Sequence, residues 1–152
     1  RQQYDEGYTS SLTEFCSIES ANQQSQTGAD KNSACDGKPA YQEGYASGLK
    51  IYCSYEVAFQ KGQQNTEYNT KNCSAPQRMY LQSAYAKGQN LVKVKANIAQ
   101  LETEIADLEQ KVYSTAVPAD AKNYYKNILA SKKTELKAAE RSLYDIERRS
   151  RM

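Results

Sequence analysis

The fold is decided by a stretch of sequence that occurs twice. Residues 4–19 read YDEGYTSSLTEFCSIE, and residues 41–56 read YQEGYASGLKIYCSYE, 37 positions further along the chain. Tyr, Gly, Leu, Cys, Ser and Glu recur in the same order and at the same spacing. A second cysteine follows each copy, after 19 residues in the first and 20 in the second. We therefore expect residues 1–79 to contain two copies of one small unit.

The four cysteines are expected to form one disulfide in each copy. Four cysteines allow three pairings, and the spacing alone does not choose among them. The duplication favours Cys16 with Cys35 and Cys53 with Cys73, because each unit then closes its own loop. Loops of this size are stabilised by about 3 kcal/mol in the chain-entropy model. A zinc site would need cysteines grouped more closely, so we favour disulfides and an oxidising compartment.

The N-terminal part has few aliphatic side chains from which to build a core. Burying one is worth roughly 1.5–3 kcal/mol, whereas ordering each residue costs about 1–2 kcal/mol of backbone entropy. Tyr and Phe rings and the disulfides are therefore expected to replace them. The branched aliphatic residues before position 80 are Leu12, Ile18, Leu49, Ile51 and Val57.

A shorter pattern recurs along the same region, and we call it the small–aromatic stripe. Each copy begins with a small residue that is followed directly by an aromatic residue, and a second small residue lies four positions after the first small residue. In three copies a Tyr also lies three positions before the first small residue. Such residues share one face of a helix. We expect the rings to be core, the alternative being a surface that stacks on sugars or peptides. The stripe residues are Tyr4, Gly7 and Tyr8; Tyr41, Gly44, Tyr45 and Gly48; Tyr55, Phe59 and Gly62; Tyr85 and Gly88.

Residues 80–152 have a different pattern, typical of two long helices. Apolar residues recur every three or four positions in a heptad seam, and Pro118 interrupts the pattern in a short polar link. Short links imply antiparallel neighbours, so we expect a helical hairpin, with Lys132 as a flaw in its second seam. The seam residues are Leu91, Val94, Ile98, Leu101, Ile105, Leu108 and Val112 in the first helix, and Leu129, Leu136, Leu143 and Ile146 in the second.

The predicted fold class is therefore all-α. A small disulfide-stapled head of two duplicated helical units (residues 1–79) is followed by a long, coiled-coil-like antiparallel hairpin (residues 80–152). Within each unit, Ser17 and Ser54 directly follow a cysteine and are expected to cap a new helix.

Composition excludes most familiar enzyme mechanisms. The 152 residues contain no His, which removes histidine triads and imidazole zinc sites. The net charge of +2 is too small to indicate a nucleic-acid partner. No apolar run approaches the roughly 20 residues of a membrane-spanning helix. We predict a protein that is not an enzyme, with no metal and no cofactor.

One segment carries a family resemblance. The succession Gly44-Tyr45-x-x-Gly48-Leu49-x-x-Tyr52-Cys53-Ser54-x-Glu56, with Phe59-x-x-Gly62, Tyr68 and Cys73 after it, resembles a family of Gram-negative envelope lipoproteins known as domain of unknown function 2799. The resemblance implies an upstream lipidated cysteine and attachment to the outer membrane on its periplasmic side. It supplies a location and no activity.

The expected function is a structural or protein-interaction role in the cell envelope. The partners would be envelope proteins, a larger assembly or further copies of the chain, with the membrane reached only through a lipid anchor upstream of Arg1. The alternatives are a glycan- or peptidoglycan-binding module, a periplasmic inhibitor or immunity protein, and binding of anionic lipid by the C-terminal arginines. A glycan module would combine Tyr rings with the carboxylates of Glu6, Glu14, Glu43 and Glu56. The arginines that would bind anionic lipid are Arg148, Arg149 and Arg151.

Overall fold

The computed structural model describes residues 2–150, except for the side chains of residues 9, 10, 149 and 150. This part of the chain is helical and contains no strand, which confirms the all-α fold class. None of its helices is long and apolar enough to cross a membrane. The helices are α1 (Gln2–Phe15), α2 (Ile18–Gln26), α3 (Pro39–Tyr52), α4 (Tyr55–Gln63), α5 (Ala75–Tyr113) and α6 (Ala119–Ser150), with a 3₁₀ turn at Ser33–Cys35 between α2 and α3.

The chain divides into two compact units, Arg1–Gly88 and Gln89–Met152. The division falls inside α5, whereas the change in composition falls at residue 79. The first turns of α5 lie with the N-terminal unit because Leu81 and Ala84 are buried in its core. The sequence change therefore marks the last cysteine loop, and the packing extends further into α5.

Both cysteine pairs form disulfides, Cys16 with Cys35 and Cys53 with Cys73, as the duplication predicts. All four cysteine side chains are buried. Each bridge joins the end of one helix, α1 or α3, to the far end of the polar loop that follows the next helix, α2 or α4.

Each copy of the repeat is a pair of helices broken at its cysteine. The Ser17 hydroxyl accepts a hydrogen bond from the amide of Ser20, and Ser54 accepts one from Val57, which confirms both predicted N-caps. The shorter helices also end alike. The residue after each C-cap has a positive φ, 80° at Gly28 and 52° at Asn65, the left-handed conformation that closes many helices.

The N-terminal unit has two small cores, each centred on a disulfide. As expected, tyrosines supply much of the buried volume, and Tyr41 is fully buried. The partly buried Leu49 packs against both cores and so links the two copies of the repeat. The first core contains Cys16, Ala21, Cys35, Tyr41 and Tyr45, and the second contains Tyr52, Cys53, Ala58, Cys73, Leu81 and Ala84.

The C-terminal unit is the predicted antiparallel hairpin. Ile105, Leu108 and Val112 of α5 form one cluster with Leu129 of α6. Two ion pairs between the helices, Glu104–Lys132 and Glu109–Lys133, fix the same register. Leu136 of α6 packs against this cluster, and Leu91, Leu101 and Ile146 are also buried.

Lys132 is not a flaw in the hairpin. Its ammonium group lies 3.1 Å from the Glu104 carboxylate on the other helix and 3.8 Å from Glu135 on its own. Pro118 lies in the link between α5 and α6, as expected. The Pro118 carbonyl accepts the first helical hydrogen bond, from Lys122, so Pro118 precedes the helix and is not its first residue.

Candidate functional site

Helices α2 and α3 cross with their backbones almost in contact, and glycines make this possible. A Cβ atom placed on Gly44 would lie 2.1 Å from the carbonyl oxygen of Ile18, and one on Gly48 would lie 2.2 Å from that of Asn22. Ala21 and Ser25 of α2 are fully buried at the same crossing. Both helices thus contribute small residues four positions apart.

Helices α4 and α5 repeat this crossing. A Cβ atom on Gly88 would lie 2.1 Å from the carbonyl oxygen of Phe59, which corresponds to Asn22 in the first copy. Ala58 and Ala84 are fully buried, and Gly62 is also buried. The stripe residues of α3 and α5 therefore act as predicted, letting a neighbouring backbone approach closely.

On α3 and on α5, a tyrosine of the stripe also donates a hydrogen bond to the loop that follows the helix packed against the stripe, α2 or α4. The Tyr45 hydroxyl donates to the carbonyl of Ala29 at 2.8 Å, and the Tyr85 hydroxyl donates to the carbonyl of Thr66 at 2.9 Å. Ala29 and Thr66 are equivalent positions of the repeat. The stripe thus recognises a helix together with the polar segment after it.

A second tyrosine in each copy holds an asparagine of the loop. The amide of Asn32 donates to the Tyr41 hydroxyl at 2.8 Å, and the amide of the equivalent Asn69 donates to the Tyr52 hydroxyl at 3.0 Å. Both asparagine side chains accept a hydrogen bond from the amide two residues later. Tyr41 and Tyr52 are not equivalent positions of the repeat, but each accepts the same hydrogen bond from its loop.

The two loops are joined to each other on the surface. Asp30 accepts hydrogen bonds from the Lys71 ammonium and the Asn72 side-chain amide, each at 2.9 Å. These hydrogen bonds lower the pKa of Asp30 below its ordinary value, and the bond from Asn72 has the larger effect. Asn72 also bonds the carbonyl of Gly28, so the second loop is held against the first.

The first copy of the stripe, on α1, differs from the others because it is exposed. The side chains of Tyr4 and Tyr8 are 75% and 59% accessible, and a Cβ atom on Gly7 would meet nothing within 4 Å. The expectation that these rings are core is wrong. Helix α1 is attached at its C-terminal end, through Leu12 and Cys16, and within residues 2–150 no helix covers the stripe as α2 covers α3.

The copy on α4 is buried in part and packs differently. Tyr55 stacks on Phe59 at 5.8 Å between ring centroids and lies 5.7 Å from Tyr80. The Tyr55 hydroxyl is buried without a hydrogen-bond partner, and burial raises the pKa of Tyr55. Gly62, one of the two small residues of this copy, is buried.

Two shallow cavities flank the break between α1 and α2. One, of about 450 Å³, lies between Glu14, Ser17 and Gln23. The other, of about 580 Å³, is more apolar and lies between Ile18 and Pro39, beside Cys16. Both are open surface grooves adjoining α1.

The carboxylates considered for a glycan site do not line one common cavity. Glu6, Glu14, Glu43 and Glu56 are exposed, and of these only Glu14 borders a groove described above. Among the described residues, no three Cys, Asp or Glu side chains are grouped closely enough to hold a metal ion. Arg148 is exposed, while the side chains of Arg149 and Arg151 lie outside the described residues.

Sequence reasoning missed the partners of the glycines. Ala21 and Ser25 on α2 correspond to Ala58 and Gly62 on α4 at the same offset as the cysteines. These partner residues could have been found by continuing the alignment of the two copies beyond Cys16 and Cys53. It would also have aligned Asn32 with Asn69.

Comparison with known proteins gives a match to one family. Residues 38–90, which include α3, α4 and the first part of α5, match the family described as Protein of unknown function (DUF2799). Searches of curated proteins and of solved structures gave no significant match. The matched range contains the second copy of the repeat with its disulfide, the Gly44 stripe and the Gly88 stripe. The resemblance of the chain to the DUF2799 family is thereby confirmed over residues 38–90.

Proposed function

We propose that this chain is a non-enzymatic protein-interaction component of the cell envelope, facing the periplasm of a Gram-negative bacterium and held at the outer membrane by a lipid anchor upstream of Arg1. Two disulfides are compatible with an oxidising compartment. The resemblance to the DUF2799 family supports the proposed location.

The observation that carries the interaction role is the exposed stripe of α1. Exposed patches of large aromatic side chains are typical of surfaces that bind proteins. A neighbouring glycine that no other residue covers leaves room for a partner to approach. Tyr4 and Tyr8 have this character, on a head made rigid by two disulfides. The hairpin would serve as a spacer or an assembly arm.

The test is cross-linking of the native chain in intact cells, followed by purification under denaturing conditions and identification of the bound protein. We expect one stoichiometric envelope protein in addition to the chain. Light scattering on the purified chain measures its oligomeric state in parallel. A chain that is strictly monomeric and cross-links to no envelope protein would contradict the proposal.

The same exposed rings also support a glycan-binding alternative, because Tyr faces stack on sugars. Thermal unfolding with peptidoglycan fragments and with lipopolysaccharide distinguishes the two functions. A rise in melting temperature that disappears in a Tyr4→Ala, Tyr8→Ala variant would favour the glycan. An unchanged melting temperature with every glycan would remove this alternative.

A further inference from the structure

We infer that the apolar groove between Ile18 and Ala40, which we call the Ile18 groove, is a binding site for the ring of a tyrosine presented by a peptide. The groove lies beside Cys16, where α1 ends and α2 and α3 begin, and its volume is about 580 Å³. Ligand sites usually have volumes of about 300–1,000 Å³. The residues that line the groove lie outside the α1 stripe, so this inference goes beyond the proposed function and does not depend on it.

The two sides of the Ile18 groove have equivalents in the second copy of the repeat. Ile18 corresponds to Tyr55, at the offset of 37 that relates the two cysteine-containing segments. Ala40 corresponds to Tyr80, because the stripes of α3 and α5 align at an offset of 40. Small side chains on one or both sides of the first site are therefore replaced by two aromatic rings in the second.

The helix crossings support this alignment. The Asn22 carbonyl lies against Gly48, and the Phe59 carbonyl lies against Gly88. These two contacts are related by the same offsets, 37 for the first residue and 40 for the second. Helices α2 and α3 therefore cross in the same register as α4 and α5. It follows that the Ile18 groove and the space between positions 55 and 80 are equivalent places in the two copies.

In the second copy, the chain fills this place with its own rings. The ring centroids of Tyr55 and Tyr80 lie 5.7 Å apart, within the range of about 4.5–7 Å that aromatic pairs prefer. In the first copy, Ile18 is 49% exposed and the groove separates it from Ala40. What the first copy lacks is the ring that Tyr80 supplies in the second. A tyrosine ring is therefore the ligand that the repeat itself indicates.

The charged residues of the Ile18 groove also suit a phenol ring. Lys38, the N-cap residue of α3, lines the groove, and a cation within about 6 Å of a ring centroid attracts the ring face. The second copy has such a pair, because the Lys87 ammonium lies 6.0 Å from the centroid of Tyr55. Glu19 also lines the groove, and its carboxylate can accept a hydrogen bond from a phenol hydroxyl. These groups favour tyrosine over an aliphatic side chain.

The probe is N-acetyl-tyrosine amide, added to the full chain labelled with ¹⁵N and followed by NMR. We expect saturable shifts concentrated at Ile18 and Ala40, with one molecule bound per chain. N-acetyl-leucine amide has the same backbone and is expected to bind several-fold more weakly, because it offers no ring face to Lys38. The absence of saturable shifts at the groove, or equal binding of both amides, would overturn the inference. Binding of p-cresol without binding of the tyrosine amide would also overturn it, since the site would then take a free phenol.

Ala40→Tyr gives the first copy the ring that Tyr80 supplies in the second. The introduced ring is expected to fill the groove, to show nuclear Overhauser effects to the Ile18 methyl groups and to abolish binding of the tyrosine amide. Ala46→Tyr is the matched control, because it adds the same ring at an exposed position on a different face of α3. This control should bind the amide like the wild type. An introduced ring at position 40 that remains in solvent, or binding that persists in Ala40→Tyr, would overturn the inference.

Tyr80→Ala is the reciprocal variant, and it tests the same equivalence by creating a site. The side chain of Tyr80 is 59% exposed, so its removal is expected to leave the chain folded. The variant should bind a second molecule of the tyrosine amide, with new saturable shifts at Tyr55. A Tyr80→Ala chain that binds one molecule, as the wild type does, would overturn the inference.

Discussion

Gly48 lies against the backbone of Asn22 so closely that a Cβ atom on the glycine would be 2.2 Å from the Asn22 carbonyl oxygen. Gly88 has the same relationship to Phe59, at 2.1 Å. These two contacts show that the duplicated sequence produces a duplicated helix crossing. The neighbouring glycine of the stripe, Gly44, would meet the Ile18 carbonyl oxygen at 2.1 Å, whereas its equivalent on α1, Gly7, would meet nothing within 4 Å.

Alanine substitutions at a covered glycine and at an exposed glycine of the stripe should therefore have opposite effects. Gly48→Ala is expected to destabilise the chain by at least about 1–3 kcal/mol, because a backbone atom must move to admit the methyl group. Gly7→Ala is the matched control and should stabilise α1 by about 0.5–1 kcal/mol, since it replaces an exposed helical glycine. Urea unfolding measures both. A Gly48→Ala variant as stable as the wild type would contradict the crossing.

The disulfides are expected to carry much of the stability of the N-terminal unit. Changing both Cys53 and Cys73 to Ser should lower the free energy of unfolding by about 3 kcal/mol, because a loop of 20 residues is no longer closed in the unfolded chain. The Cys16→Ser, Cys35→Ser pair is the matched comparison, with a loop of 19. Denaturant unfolding that is unchanged in these variants, or by reductant in the wild type, would refute this prediction.

Tyr68 should make stability depend on alkaline pH. Burial, with a smaller contribution from Tyr52, raises the pKa of Tyr68 to about 12. Its hydroxyl donates to the Tyr52 carbonyl at 2.7 Å, a bond that ionisation would remove. Because the folded-state pKa lies above the unfolded value of about 10, the contribution is complete below pH 10 and is lost as the pH rises toward 12.

Absorbance of the phenolate measures this directly. The difference between alkaline titrations of the wild type and Tyr68→Phe isolates the one hydroxyl. We expect the difference to develop near pH 12. A difference centred near pH 10 would show that Tyr68 is not protected in the folded chain.

The ion pair between Glu104 and Lys132 should couple the two hairpin helices weakly. Both side chains are about one-third exposed, so a double-mutant cycle with Glu104→Gln and Lys132→Met is expected to give a small favourable coupling. The coupling should fall at high salt because partly exposed charges are screened. Zero coupling at low salt would contradict the register of the hairpin.

The features that the sequence predicted correctly are those determined by neighbours along the chain. The heptad seam from Leu91 to Val112, the serine caps and the pairing of the cysteines all follow from local spacing or from the duplication. The role of Lys132 could not be read from its own helix. Its partner Glu104 lies on the facing helix, and the register that joins them is a property of the folded hairpin.

The fate of the α1 rings could not be predicted for a related reason. Tyr4 and Tyr41 have nearly the same local sequence, yet one is 75% exposed and the other fully buried. The difference is the helix that precedes α3 and covers it, which a motif within α1 cannot reveal. The bonds of Asp30 to Lys71 and Asn72 were missed because they join loops distant in sequence.

The central claim is that the α1 stripe is an unoccupied copy of the interface between repeats, and one fusion protein tests it. Residues 17–37, with Cys35 changed to Ser, are joined directly before Arg1, so that Tyr4 follows the added segment at the spacing of Tyr41. Linkage raises the effective concentration of the segment to the millimolar range.

Hydrogen exchange of the α1 amides is the deciding measurement, with the same fusion carrying Gly7→Leu as its control. The account predicts that the fused segment slows exchange in α1 by roughly ten-fold or more and that Gly7→Leu abolishes this protection. Exchange in α1 that is unchanged by the fusion, or protected equally in the Gly7→Leu control, would contradict the account.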